Sequence, residues 1–188
     1  MKSLILLFLS CAVALAQATD DSAVRIELGR ALLYDKKFSE AAEAFRQVAA
    51  AKPGDLDATL GLAQALFWGG NPAEALTVAK TIPADQRTPD VNLMLGDLYL
   101  ISKDLPGTEK ALVAYLNEKP EDAAARVKLA DVQSWTKQYD KSLANFEQVL
   151  IQLPDDRQVR RKYGTVLSWA GRYQDAAREL KLSLEEKP

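Results

Sequence analysis

The sequence predicts an all-α fold: an α-solenoid of about five helix–turn–helix units behind an N-terminal signal peptide. Three observations predict it. A residue pattern recurs every 33 or 34 positions, each period holds two stretches of helical periodicity separated by a short break, and most periods close on proline.

The first element is residues 1–18. Lys2 precedes an apolar run from Leu4 to Leu15, and small residues follow. Ala16-Gln17-Ala18 fits a signal-peptidase site, with cleavage after Ala16 as the alternative. A charged start, a short apolar stretch and a small-residue exit describe an export signal, and the run is too short to span a bilayer comfortably. Cys11 is read as a small residue of the apolar stretch rather than a lipid-attachment cysteine. The expectation is therefore an exported, periplasmic or secreted chain with no transmembrane segment once processed.

The repeats occupy residues 19–188, with units at about 22–55, 56–88, 89–122, 123–156 and 157–188. In each first helix a bulky residue precedes a small one: Leu28-Gly29, Leu62-Ala63, Leu95-Gly96, Leu129-Ala130 and Tyr163-Gly164. The second helices answer with Ala41, Ala75, Thr108, Ser142 and Ala176, followed four places later by Phe45, Ala79, Leu112, Phe146 and Leu180. Antiparallel helices approach closely only where side chains are short, so these columns mark the crossing within each hairpin. The break holds Gly70 and Gly171 in two units, where a helix can end in a left-handed residue. Pro53, Pro120 and Pro154 close units, and Asp55, Asp122 and Asp156 stand two residues later, placed to cap the next helix. Unit two departs, with Pro83 early, Ala79 in the bulky slot and a shortened second helix. Unit three departs at Leu105-Pro106-Gly107-Thr108.

These columns resemble the tetratricopeptide repeat family across residues 22 to 188. The resemblance rests on the bulky–small pair, the small residue of the second helix, the apolar residue after it and the closing proline. Arg25, Thr59, Asn92, Arg126 and Arg160 stand where that family often has Trp. The resemblance implies a right-handed solenoid whose first helices line a concave groove for a protein or peptide partner. It places groove-facing slots at Arg30, Gln64, Asp97, Asp131 and Thr165, flanked by Leu33, Phe67, Leu100, Ser134 and Ser168.

A column of large residues, Tyr34, Trp68, Ile101, Trp135 and Trp169, ends the same helices. Two readings stand: rings that cover the hairpin turn, which is favoured, or a ladder that stacks on a peptide or sugar. Asp97 and Asp131 are read as solvated groove wall rather than an acid–base pair or cation site. Arg157, Arg160, Arg161 and Lys162 crowd one helix start. They are expected to pair with Asp155 and Asp156, with an anion site as the alternative.

Composition narrows the function. The net charge of -2 gives no basic field for nucleic acid. The chain has no His, and its single Cys lies in the export signal, so a processed chain has no Cys nucleophile, His base or His/Cys metal ligand. No phosphate-cradling Gly loop is present. The reading is a non-enzyme with no cofactor and no metal: an exported scaffold that binds a protein or peptide. The alternative is a part of an exopolysaccharide-export apparatus that guides a glycan, because such "LSWAGRY"-like arrays are similar to the repeat regions of cellulose-synthase outer-membrane subunits. Leu180, Leu182 and Leu184 near the end lack a following helix to cover them, which suggests that the chain continues or docks a partner there.

Overall fold

The computed structural model describes residues 21–185. The expected signal peptide lies outside them. The described residues contain ten α-helices and one short 3-10 turn, with no strand. Helix α1 covers residues 21–34. It is followed by α2 (Phe38–Ala51), α3 (Leu56–Trp68), α4 (Pro72–Lys80), α5 (Pro89–Ile101), α6 (Leu105–Glu118), α7 (Ala123–Trp135), α8 (Tyr139–Gln152), α9 (Arg157–Trp169) and α10 (Tyr173–Leu182). The chain divides into two compact units, one ending at Gln86 and one beginning at Arg87.

Start signals fall where the sequence puts them. Asp55, Asp122 and Asp156 accept the backbone N–H groups of Ala58, Ala125 and Val159, each at 2.9 Å. Each carboxylate satisfies a donor that the helix cannot satisfy and sits at the positive end of its dipole. Thr88 and Asp104 do the same for α5 and α6. In unit three of the repeat, Pro106 lies in the first turn of α6, where its missing N–H costs nothing, and the helix runs a full 14 residues. Helix α4 is short, 9 residues, as its early proline suggests.

The turns inside the hairpins share one geometry. Residues 36, 70, 103, 137 and 171 all have positive φ, near 60° at Lys36, Lys103 and Lys137 and near 80° at Gly70 and Gly171. The following N–H reaches back five residues in every case, as from Gln138 to the Gln133 carbonyl at 2.8 Å and from Arg172 to the Leu167 carbonyl at 2.9 Å. This closure satisfies carbonyls left open at the helix end. The glycines were legible as turn residues; the three lysines in the same conformation were not.

In the first unit α2 packs on α3, and α3 on α4. The Phe45 ring is 1% exposed and wedged against Gly29 of α1 and Gly61 of α3. Ala63 of α3 and Ala75 of α4 are both fully buried where these two helices pack. In the second unit each helix from α5 to α10 packs on the next in chain order. Phe146, fully buried, gathers Leu143, Val149, Val159, Val166 and Leu167, and a second cluster forms around Leu112, Tyr115, Leu116 and Leu129. Burying one such side chain is worth roughly 1.5–3 kcal/mol. The polar small residues are satisfied: Ser142 donates to the Ala130 carbonyl across the crossing at 2.7 Å, and Thr108 to the Asp104 carbonyl at 2.8 Å.

The arginines that replace Trp form a repeated clasp. Arg126 donates to the Pro120 carbonyl and to Asn145; Arg160 donates to the Pro154 carbonyl and to Glu179. Each guanidinium therefore ties the start of a first helix to the loop before it and to the second helix of its own hairpin. The planar fork supplies several donors at fixed angles, which an indole could not.

Candidate functional site

The first unit contains an open cleft of about 480 Å³, lined by Arg30, Leu33, Tyr34, Lys36, Phe38, Gln64 and Trp68. Its construction follows from helical spacing. Arg30, Leu33 and Tyr34 lie three and four residues apart on one face of α1, and Gln64 and Trp68 lie four apart on one face of α3. The α1–α2 turn adds Lys36, and the first residue of α2 adds Phe38. The Phe38 and Trp68 rings meet at a tilt, with centroids 6.3 Å apart. Four expected site residues, Arg30, Tyr34, Gln64 and Trp68, thus converge on one cleft. Lys36 and Phe38 were missed; the glycines at the equivalent turn position, Gly70 and Gly171, are the signal that could have pointed to Lys36.

The aromatic surfaces are open to solvent. Tyr34 is 89% exposed, and Trp68, Trp135 and Trp169 are each 53% exposed. Packing therefore covers about half of each Trp residue. Arg30 bonds Glu27 at 2.6 Å and Asp57 at 3.2 Å, both largely exposed. Lys36 has no ion pair and the Gln64 amide no hydrogen bond among the described residues.

The remaining expected residues lie in the second unit, in a different setting. Asp97 pairs with Lys128 and Asp131 with Lys162, each at 2.5 Å and each 31 residues apart. The two carboxylates are tied across successive first helices rather than offered to a ligand. Thr165 donates to the Arg161 carbonyl one turn back in its own helix. Trp135 and Trp169 end α7 and α9.

The basic run of α9 is spread over several partners. Asp156 is occupied as the helix cap. Arg160 pairs with Glu179 at 2.6 Å, Lys162 with Asp131, and Arg157 donates to the Ser183 and Leu184 carbonyls. Arg160 also donates to the Pro154 carbonyl of the preceding loop at 2.7 Å, so the run is shared between that loop, α7 and α10. The cavity beside them, about 430 Å³, is lined by Pro154, Asp155, Arg157, Arg160, Leu182 and Glu185, so its charges balance.

Buried polar groups complete the electrostatics of this unit. Gln133, 3% exposed, donates to Glu109 and accepts from Asn145. Burial pushes the Glu109 carboxyl up, but hydrogen bonds from Gln138 and Gln133 and the Lys141 charge outweigh it and hold the group below its ordinary value. Tyr115 donates to Asp122 at 2.7 Å, which together with burial pushes the phenol up to about 12. Tyr163 is pushed up by burial and by its bond to Glu147. Among the described residues no cluster of His, Cys, Asp or Glu could hold a metal ion, and no helix is long and apolar enough to cross a membrane.

All of the cleft lining except Arg30 falls within a stretch that has a recognisable relative. Residues 32–98 match the tetratricopeptide repeat family model. A sequence search of curated proteins finds no match. Solved structures share the fold. MamA aligns with a TM-score of 0.79 over 88% of this chain and 91% of that one, at 19% identity. YrrB, described as a TPR protein with an unusual peptide-binding site, aligns with a TM-score of 0.82 over 92% of this chain and 90% of that one, at 16% identity. The helical repeat fold is thereby shown.

Proposed function

We propose that this chain is an exported, non-enzymatic repeat scaffold that holds a peptide segment of a protein partner in the cleft of its first unit. One observation carries the reading: Arg30, Tyr34, Gln64 and Trp68, separated by up to 38 positions in sequence, line one cleft with Phe38 and Lys36. An apolar floor with a few polar groups at its edge is the usual composition of a ligand site, and about 480 Å³ is within the usual range of roughly 300–1,000 Å³. The peptide-binding site named for YrrB, on the same fold, supports a peptide as occupant. The apolar run of residues 4–15 with its small-residue exit supports export.

A photo-crosslinking residue in place of Gln64 tests the reading in the cells that make the protein. It is expected to trap a protein in the periplasmic or secreted fraction, with trapping lost in a Trp68→Ala background and absent when the crosslinker replaces the exposed Ile151. Equal trapping from both positions overturns the cleft. N-terminal sequencing of the product is expected to begin at Thr19 or Gln17; an intact Met1 overturns export. The glycan alternative draws on the half-exposed faces of Trp135 and Trp169. Calorimetry with soluble oligosaccharides tests it: binding lost in Trp135→Ala and Trp169→Ala would favour it over the peptide.

A further inference from the structure

We infer that the cleft of the first unit selects an acidic peptide segment, a carboxylate side chain next to an aromatic one. The inference rests on the peptide reading above and adds the chemistry of the ligand. The lining is donor-rich. Arg30 and Lys36 offer only donors, Gln64 offers an amide with both functions, and no carboxylate lines the cleft. A ligand group that only accepts matches such a lining, and an ionised carboxylate is that group. A sugar hydroxyl donates as well as accepts and would find few acceptors here.

Charge points the same way. Two cations and no anion face the cleft. Lys36 is held at φ 60°, a conformation that the equivalent Gly70 adopts without cost, and it has no ion pair among the described residues, whereas the adjacent Lys37 is bound to Asp35 at 2.7 Å. The carboxylates on Arg30 are largely exposed, so water screens those pairs and an incoming carboxylate can share the guanidinium. The apolar half of the lining, Leu33, Tyr34, Phe38 and Trp68, supplies the wall for a ring, with Trp68 half exposed beside Phe38.

The test titrates the full chain with three acetylated, amidated peptides: Gly-Glu-Phe-Glu-Gly, Gly-Gln-Phe-Gln-Gly and Gly-Glu-Ala-Glu-Gly. The readout is the indole N–H resonance of Trp68, assigned with Trp68→Phe. The Glu–Phe peptide is expected to bind about tenfold more tightly than the Gln–Phe peptide at low salt, as charge-assisted hydrogen bonds exceed neutral ones. It should also bind more tightly than the Glu–Ala peptide, which has no ring for the apolar wall. Raising salt to about 0.5 M should erase most of the Glu-over-Gln difference. Lys36→Gly removes the charge at a position where glycine relieves strain, so the fold is retained; it should cut the preference for Glu over Gln about fivefold. Equal binding of the Glu–Phe and Gln–Phe peptides overturns the acidic selectivity while the peptide cleft stands. Failure of every peptide to move the Trp68 resonance overturns the cleft reading and the selectivity together.

Discussion

Gly61 and Phe45 are in such close contact that the ring leaves no room for one more carbon: a Cβ at position 61 would lie 2.4 Å from the ring edge. Gly29 faces the same ring from α1, where a Cβ would lie at 2.7 Å. Phe45 therefore acts as the spacer that sets the distance between three helices. Gly61→Ala is expected to destabilise the protein by roughly 1–3 kcal/mol through overpacking. Phe45→Ala should cost roughly 3–5 kcal/mol through the opposite fault, an unfilled cavity. Phe45→Leu introduced together with Gly61→Ala should lose less than the sum of the two single changes, because the smaller side chain makes room for the added carbon. Urea denaturation of the two singles and the double measures it; additive losses would refute the assigned packing.

The five hairpin turns allow a cleaner test of backbone strain. Lys137 holds φ 61° while Gly171, at the equivalent position, holds φ 79° with open space around a hypothetical Cβ. Only the left-handed backbone separates the two residue types there. Lys137→Gly is expected to stabilise the protein or leave it unchanged, the relief of about 1 kcal/mol being offset by the greater freedom of glycine when unfolded. Gly171→Ala should destabilise by about 1 kcal/mol with no change in contacts. Thermal melting distinguishes these outcomes from a clash, which would cost far more.

The contrast between these turns and the ion pairs shows what the sequence could carry. Helix starts and buried small residues were legible because each depends on residues close in the chain: Asp156 caps Val159, and Ala63 and Ala75 are both fully buried. Tyr34, Trp68, Arg30 and Gln64 were legible as one surface because a period of 34 residues places them at equivalent points of successive hairpins. Asp97–Lys128 and Asp131–Lys162 were not, because whether residues 31 apart touch depends on the rotation between neighbouring hairpins, which no local pattern records. How much of each Trp ring is covered was not legible for a related reason. Helical spacing tells which face a ring is on, and only the packed neighbour decides how much of it is covered.

Asp131 and Lys162 have side chains about one-fifth and two-fifths exposed, which predicts a modest contribution. A double-mutant cycle with Asp131→Asn and Lys162→Met should return a coupling of about 0.5–1 kcal/mol, falling as salt is raised. A coupling that ignores ionic strength would mean that the pair is more deeply buried than its exposure indicates.

Tyr115 and Asp122 give the fold a dependence on pH at both ends. The phenol, donating to Asp122 and largely covered, titrates at about 12 rather than 10. Its folded value is raised, so the stability it adds is complete below pH 10 and is lost as pH climbs from about 10 to 12. Asp122 moves the other way. The Ala125 N–H and the Tyr115 hydroxyl favour the ionised form more than burial disfavours it, so its contribution is present above its ordinary value of 3.8 and is lost as acid protonates the folded carboxyl below that value. Tyr115→Phe should remove its own share of the alkaline loss, on the order of 1 kcal/mol once screening by nearby water is allowed for, because phenylalanine has no proton to release; Tyr163, raised by burial and its bond to Glu147, keeps its share. The variant should also flatten the acid limb without abolishing it, since Asp122 keeps the Ala125 donor at 2.9 Å. Urea midpoints across pH for the parent and the variant read both limbs; an alkaline slope undiminished in the Phe variant would assign it wholly to other groups.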